Sequence, residues 1–209
     1  MSLYRTHVLP RLVNLTCGSS TITPLRDRVC AGLHGEVVEI GFGSGLNVPH
    51  YPAGVASVTG VEPADLGWRL ARKRLDATVI HVKRAGLNGE SLPFEDNSFD
   101  SALSTFTLCT IPDVAAALRE VHRVLKPGGA LHFLEHGSAP DEDVRRWQRR
   151  LEPIQKRVAG GCHLTREHVA LVTAAGFTVV ECEQFYQDGV PHPYGAATLA
   201  RAVVETPAA

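Results

Sequence analysis

The chain has 209 residues, 44% of them hydrophobic and 21% charged, which suits one ordinary globular domain and excludes a disordered or fibrous chain. Its 21 Lys and Arg against 22 Asp and Glu leave no net field to draw it onto nucleic acid or an anionic membrane. Five scattered cysteines with no Cys-x-x-Cys pair argue against zinc and dithiol chemistry, and suit reduced thiols in a cytoplasm.

The opening MSLYRTHVLPRLVNL lacks the apolar core of a secretory signal, and no run approaches the ~18 apolar residues of a membrane span. We therefore expect no integral membrane association. Residues 1–30 read as a lid-like segment, with Tyr4 among those able to close over a pocket and exclude water. From Glu36 onward, short β-rich runs alternate with helical patterns, the signature of βαβ units. Strands are expected at Glu36–Ile40, Ser57–Glu62, Thr78–Val82, Phe99–Thr105, Ala130–Glu135, Thr178–Cys182 and Ala197–Val204. Val114, Leu118, Val121 and Leu125 recur at helical spacing and present one apolar face. Lys126-Pro127-Gly128-Gly129 should stop that helix. Val144, Trp147, Leu151, Ile154 and Val158 predict a second helix despite Pro153, with the acids Asp141, Glu142 and Asp143 at its N-terminus. Arg145, Arg146, Arg149 and Arg150 read as its solvated face. The whole chain, 1–209, is thus read as one α/β domain: a mostly parallel seven-stranded sheet with helices on both faces.

The segment Val37-Val38-Glu39-Ile40-Gly41-Phe42-Gly43-Ser44-Gly45-Leu46-Asn47 runs a strand into a glycine loop, where a backbone can turn tightly and approach a ligand. Dinucleotides, nucleotides and sulfonium cofactors all use such loops at the C-terminal edge of a parallel sheet. A G-x-G-x-x-G fingerprint starting at Gly41 would need glycine where Leu46 stands, which weakens a nicotinamide reading. Glu39 puts a carboxylate at the loop entrance, repelling a pyrophosphate and attracting a cationic ligand. Glu62, followed by Pro63, ends the second strand, where an acid can take both ribose hydroxyls; the plain alternative is a surface turn acid.

Two further runs, Leu92-Pro93-Phe94-Glu95-Asp96-Asn97-Ser98-Phe99-Asp100 and Leu118-Arg119-Glu120-Val121-His122-Arg123-Val124-Leu125-Lys126-Pro127-Gly128-Gly129, resemble the signatures of class I methyltransferases. The resemblance implies a Rossmann-like sandwich and S-adenosyl-L-methionine as donor, with S-adenosyl-L-homocysteine as product. It also implies cofactor contacts from Glu39, Gly41, Phe42, Gly43, Asn47, Glu62, Pro63, Asn88, Gly89, Glu90 and Thr105. Asn88 stands where many relatives have Asp, and Phe42 where a smaller residue is common. In the C-terminal half, Glu135-His136, Trp147-Gln148, Gly161-Cys162-His163-Leu164-Thr165-Arg166-Glu167 and Pro191-His192-Pro193-Tyr194-Gly195 are similar to the methyltransferase-like protein 7 branch, associated with alkyl thiol S-methylation. Animal members of that branch carry an apolar N-terminal anchor, which is not carried over here.

On this resemblance, residues 136–165 form an acceptor-side insertion, and Trp147, His192 and Tyr194 line or cover an acceptor pocket, with core packing as the alternative. His136 is the candidate catalytic base, its imidazole able to take a proton near neutral pH; equally, it could cap a carbonyl or shape the pocket. Phe106 and Cys109 follow Thr105 beside the cofactor, with Cys109 not read as a nucleophile, and Cys162-His163 lacks a second pair with metal-ligand spacing. The partner is a small-molecule methyl acceptor, and oligomeric state stays open. C-, O- or N-methylation, a nicotinamide oxidoreductase and a non-catalytic binding module remain as rivals.

Overall fold

Alternate side chains along the central strands enter two different apolar layers, and this period of two makes the sheet the middle of a sandwich. The computed structural model describes residues 8–85 and 89–206. In β1 (Gly35–Ile40), Val38 and Ile40 join one core and Val37 the other. Ala102 and Leu103 of β4 (Phe99–Thr105) divide the same way, as do Phe133 and Leu134 of β5 (Leu125–His136). With β2 (Val55–Val61), β3 (His81–Ala85), β6 (Thr178–Tyr186) and β7 (Ala196–Val203), they form a seven-stranded sheet in the order β3-β2-β1-β4-β5-β7-β6. β7 is antiparallel to β5 and β6; the other pairings are parallel.

One face is covered by α4 (Val114–Val124), which buries Val114, Ala117, Leu118, Val121 and Val124, and by α6 (His168–Ala174), which adds Val172. Asp113 caps α4 by accepting the Ala116 N–H at 2.9 Å, a contact worth about 1 kcal/mol. On the other face α2 (Thr23–Cys30) packs Val29 and Cys30 against Val37, Leu103 and Leu134, while Ala71 of α3 (Asp65–Ala77) packs near Phe42. The remaining α-helices among the described residues are α1 (Leu9–Thr16), α5 (Glu142–Val158) and α7 (His192–Gly195), with one turn of 3-10 helix at Val48–His50.

Several expected bounds shift: β2 begins at Val55, β5 already at Leu125, and β6 runs on to Tyr186; three further differences have a local cause. β3 begins at His81 rather than Thr78, because the Thr78 hydroxyl accepts the Ile80 N–H at 3.2 Å and holds 78–80 in a turn. α4 ends at Val124 before the Lys-Pro-Gly-Gly run, since Leu125 is already extended and paired with Phe99. In α5 three of the five expected apolar residues are turned outward: Trp147, Ile154 and Val158 are 55%, 60% and 49% exposed, while Val144 and Leu151 are half-buried. The buried position is taken by Gln148, whose amide accepts from Ala139 N–H and donates to Gly137 and Pro193 carbonyls. Arg145, Arg146 and Arg149 pair with Glu142 or Asp143 on the same helix. Among the described residues no helix is long and apolar enough to cross a membrane.

From β1 the sheet is extended toward β2 on one side and toward β4 on the other. That reversal opens a crevice at the C-terminal ends of β1 and β4, where open α/β sheets bind ligands.

Candidate active site

The loop after β1 is possible only because Gly41 sits at φ +73°, with Thr107 against it. A Cβ there would lie 2.0 Å from Thr107 Oγ1, an impossible contact, so the backbone of the crevice lies bare. Phe42, the departure from the commoner small residue, turns into the core: it is 2% exposed, and its ring lies 4.8 Å from that of Trp68. Gly60 makes the room, since a Cβ there would meet the Phe42 ring at 2.8 Å.

A cavity of about 500 Å³ opens over this loop, within the range of small-molecule sites. The loop contributes Gly41, Phe42, Gly43 and Asn47 to its wall, and the end of β2 contributes Glu62 and Pro63. Gly89, Glu90 and Thr105 complete the predicted set that lines it. Asn88 and Tyr4 lie outside the described residues. Glu62 accepts the Gly43 N–H at 2.9 Å and the Ala64 N–H at 2.7 Å, so the acid that ends β2 pins the loop that follows β1. Burial pushes its carboxyl above the usual range, against those two hydrogen bonds. Glu90 accepts the Asp113 N–H at 2.9 Å and thereby ties the cavity wall to the start of α4.

Glu39 corrects the expectation of a carboxylate facing a ligand at the loop entrance. It is 1% exposed, does not line the cavity, and accepts hydrogen bonds from Asn47 Nδ2 at 2.9 Å and from the Tyr51 hydroxyl. Burial raises its pKa to about 7, opposed by those two bonds and by Arg26. What faces the cavity is Asn47, whose Nδ2 also lies 2.9 Å from Thr105 Oγ1, and beside it Arg26 of α2. Arg26 donates to Asn47 Oδ1, to Thr105 Oγ1 at 3.2 Å and to the Cys17 carbonyl at 3.0 Å. The sequence reading missed Arg26, which belongs to no motif and lies in a run, TPLRDRVC, with little helical patterning.

The loop after β4 is held from beneath. Glu135, with no exposed surface, accepts from the Ser104 hydroxyl at 2.8 Å and from the N–H groups of Thr107, Leu108 and Cys109 at 3.0, 3.0 and 3.2 Å. The signal was present, a lone acid ending the apolar run Ala130–Leu134, since a buried charge needs partners. Phe106 adopts φ +52°, rare for an aromatic residue, and lines the cavity; such strain persists only where surrounding contacts over-determine it.

His136 stands behind this ring, 4.7 Å from the Phe106 centroid, and does not itself line the cavity. Among the described residues its buried Nδ1 has no hydrogen-bond partner, and burial lowers its pKa to about 4, leaving a neutral imidazole at pH 7. Trp147, His192 and Tyr194 likewise do not line the cavity. Arg150 lies over the Trp147 ring at 5.3 Å, and His192 stacks on Tyr186 at 4.2 Å. Cys109 and Cys162 are buried neighbours, and their contact together with burial raises the Cys109 pKa well above its ordinary value. Among the described residues no cluster of three or more His, Cys, Asp or Glu could hold a metal ion.

A bare glycine loop, an acid ending β2 and a crevice between β1 and β4 fit an adenosyl ligand, and comparison with known proteins agrees. The profile of the family described as a methyltransferase domain matches residues 38–133. Thiol S-methyltransferase TMT1A of Homo sapiens is 33% identical over 173 residues, covering 78% of this chain and 70% of that protein. Thiol S-methyltransferase TMT1B of Rattus norvegicus is 38% identical over 153 residues, covering 70% of this chain and 62% of that protein. The chain thus spans under two thirds of the length of the latter. Among solved structures, an S-adenosylmethionine-dependent methyltransferase of Thermotoga maritima matches with a TM-score of 0.65 at 25% identity, over 95% of this chain and 98% of the other. The chain belongs to the class I S-adenosylmethionine-dependent methyltransferases. Within them it is similar to the thiol S-methyltransferase branch.

Proposed function

We propose that this protein transfers a methyl group from S-adenosyl-L-methionine to a small thiol, releasing S-adenosyl-L-homocysteine. The observation that carries the reading is the cavity of about 500 Å³ that joins the glycine loop and Glu62 to apolar walls from Leu9, Val13, Phe106 and Ile111. The donor supplies an electrophilic methyl on a sulfonium. Everything else asked of the chain is binding, alignment and exclusion of water.

In this reading Glu62 takes the ribose hydroxyls, with Pro63 beside it, and Asn88, Gly89 and Glu90 flank the adenine. Gly41, Phe42 and Gly43 offer backbone to the amino-acid arm, with Asn47 and Thr105 alongside. Glu39 acts through Asn47, which it orients. The segment up to residue 30 serves as the lid, supported by Leu9, Pro10, Val13, Cys17 and Arg26 in the cavity wall. The insertion at 136–165 adds Ala159 and Gly160 to that wall.

The acceptor is assigned as a thiol on the similarity to the thiol S-methyltransferases and on the apolar walls, which suit an alkyl group. A thiol of pKa ~8.5 brings its own thiolate fraction. His136, with a conjugate acid near pKa 4, accepts a proton from such a thiol only uphill. We therefore give His136 a positioning role behind Phe106 rather than that of the base. A cytoplasmic setting is supported by five cysteines that are all free.

The test is transfer of labelled methyl from S-adenosyl-L-methionine to panels of thiols, phenols, quinones and amines, with product masses. Thioether products support the reading. Products methylated only at O, N or C overturn the thiol assignment, and binding of NAD(P) without binding of S-adenosyl-L-homocysteine overturns the whole.

A further inference from the structure

We propose that Arg26 is the anchor for the carboxylate of the donor's amino-acid arm, an inference that rests on the methyltransferase reading above. The Arg26 side chain reaches the cavity from α2 with only 4% of the residue exposed. Its hydrogen bonds go to three neutral acceptors: Asn47 Oδ1, Thr105 Oγ1 and the Cys17 carbonyl. Among the described residues no carboxylate forms an ion pair with it, whereas Arg28, Arg84, Arg123, Arg145 and Arg201 each pair with Asp or Glu.

A buried guanidinium is ordinarily matched by an anion, since its hydration has been removed and neutral acceptors restore only part of it. The acid closest in the network, Glu39, is spent on Asn47 and Tyr51 and is itself hidden from the cavity. The wall at Arg26 is therefore positive, whereas Glu62 and Glu90 line the same cavity with acid. A zwitterionic amino-acid arm attached to a nucleoside matches this polarity: hydroxyls donate to Glu62, and a carboxylate accepts from Arg26 in the fork geometry that guanidinium favours. Asn47 and Thr105, which hold Arg26, fix the direction in which its remaining N–H groups point.

The same bonds are also compatible with a purely structural brace, because Arg26 ties the Cys17 carbonyl to the β4 end. A ligand pair separates the two roles. Calorimetry is run with S-adenosyl-L-homocysteine and with 5′-deoxy-5′-(3-aminopropylthio)adenosine, which lacks only the carboxylate. The unsubstituted protein, Arg26→Gln and Arg26→Lys are compared, each first checked by thermal unfolding. The expected result is a loss of about 10- to 100-fold in affinity for S-adenosyl-L-homocysteine in Arg26→Gln, with Arg26→Lys between. The aminopropyl analogue should bind both variants and the unsubstituted protein within about twofold, as it keeps the ammonium but has no carboxylate contact to Arg26 to lose. Equal losses for both ligands, or no loss for either, overturn the anchor while leaving the methyltransferase reading intact. Unsubstituted protein that binds neither nucleoside overturns that reading, and the anchor with it.

Discussion

The Glu135 carboxylate receives the backbone N–H of Thr107 at 3.0 Å, so the acid that ends β5 sets the path of the chain leaving β4. The same oxygen takes Ser104 Oγ and Leu108 N, and the other takes Cys109 N. Glu135→Gln replaces one acceptor oxygen by a donor facing these groups. The substitution should destabilise the fold by about 2–4 kcal/mol, because buried N–H groups are left unpaired. It should also weaken S-adenosyl-L-homocysteine binding, since Phe106 and Thr107 line the cavity. Urea unfolding with unchanged stability would show that water or a shifted backbone replaces the lost acceptor.

Glu62→Gln separates ligand binding from folding. An amide oxygen can still take the Gly43 N–H, and the Ala64 N–H that faces the new amide NH2 is exposed and can turn to water, so stability should change by less than ~1 kcal/mol, while affinity for S-adenosyl-L-homocysteine falls about 10- to 100-fold as the charged acceptor is lost. Full affinity in the variant would remove Glu62 from the ribose.

Gly41→Ala should be the most damaging single methyl group in the loop. The residue lies at φ +73°, and its Cβ would stand 2.0 Å from Thr107 Oγ1. The expected cost is about 2–4 kcal/mol from backbone strain and overpacking together. Nucleoside binding should disappear because Thr107 is displaced into the cavity. Gly41→Ala with normal affinity would mean that the loop is softer than its packing implies.

Stability should fall as the pH drops from ~6.5 toward ~4.5. Burial lowers both His132 and His136 to about 4. In this window the unfolded chain therefore binds two protons that the folded chain does not, and stability present above ~6.5 is lost with acid. Glu39, raised to about 7, acts oppositely: the folded chain holds its proton in this window, a contribution that disappears as pH rises through 7. His163 and His168 are lowered as well and Glu62 is raised, so the lowered imidazoles outnumber the raised carboxyls and leave a net loss with acid, and His132→Gln should flatten the slope by about one proton. Denaturant titrations at several pH values measure it; a slope unchanged by that substitution would place the proton uptake elsewhere.

Thiol turnover should follow the acceptor's own ionisation. With His136 neutral and behind Phe106, kcat/KM should rise with pH toward a thiol pKa of ~8.5. His136→Gln should keep that profile and lower the rate by less than ~10-fold. A limb near pH 6.5 that vanishes in the variant would restore His136 as the base.

Much of the fold is legible because it repeats locally. The apolar face of α4 and the alternation in β1 and β4 are short-range periods that a buried sheet and an amphipathic helix impose on any chain. Where a side chain competes with its own backbone the period misleads, as when Thr78 holds three residues out of β3. It misleads again in α5, where Trp147, Ile154 and Val158 face solvent because Gln148 satisfies the loop carbonyls and N–H groups that α5 packs against.

The sequence by itself determined the βαβ order, the glycine loop after β1 and the acid at the end of β2, since each is a local demand of backbone geometry on a few consecutive residues. Only the tertiary structure decided which charges meet the ligand space. Glu39 is drawn under the loop by Tyr51 and Asn47, His136 is set behind Phe106, and Arg26 arrives at Thr105 from 79 residues away. The physical reason is that exposure and ionisation follow from contacts between distant segments, and no local period records them.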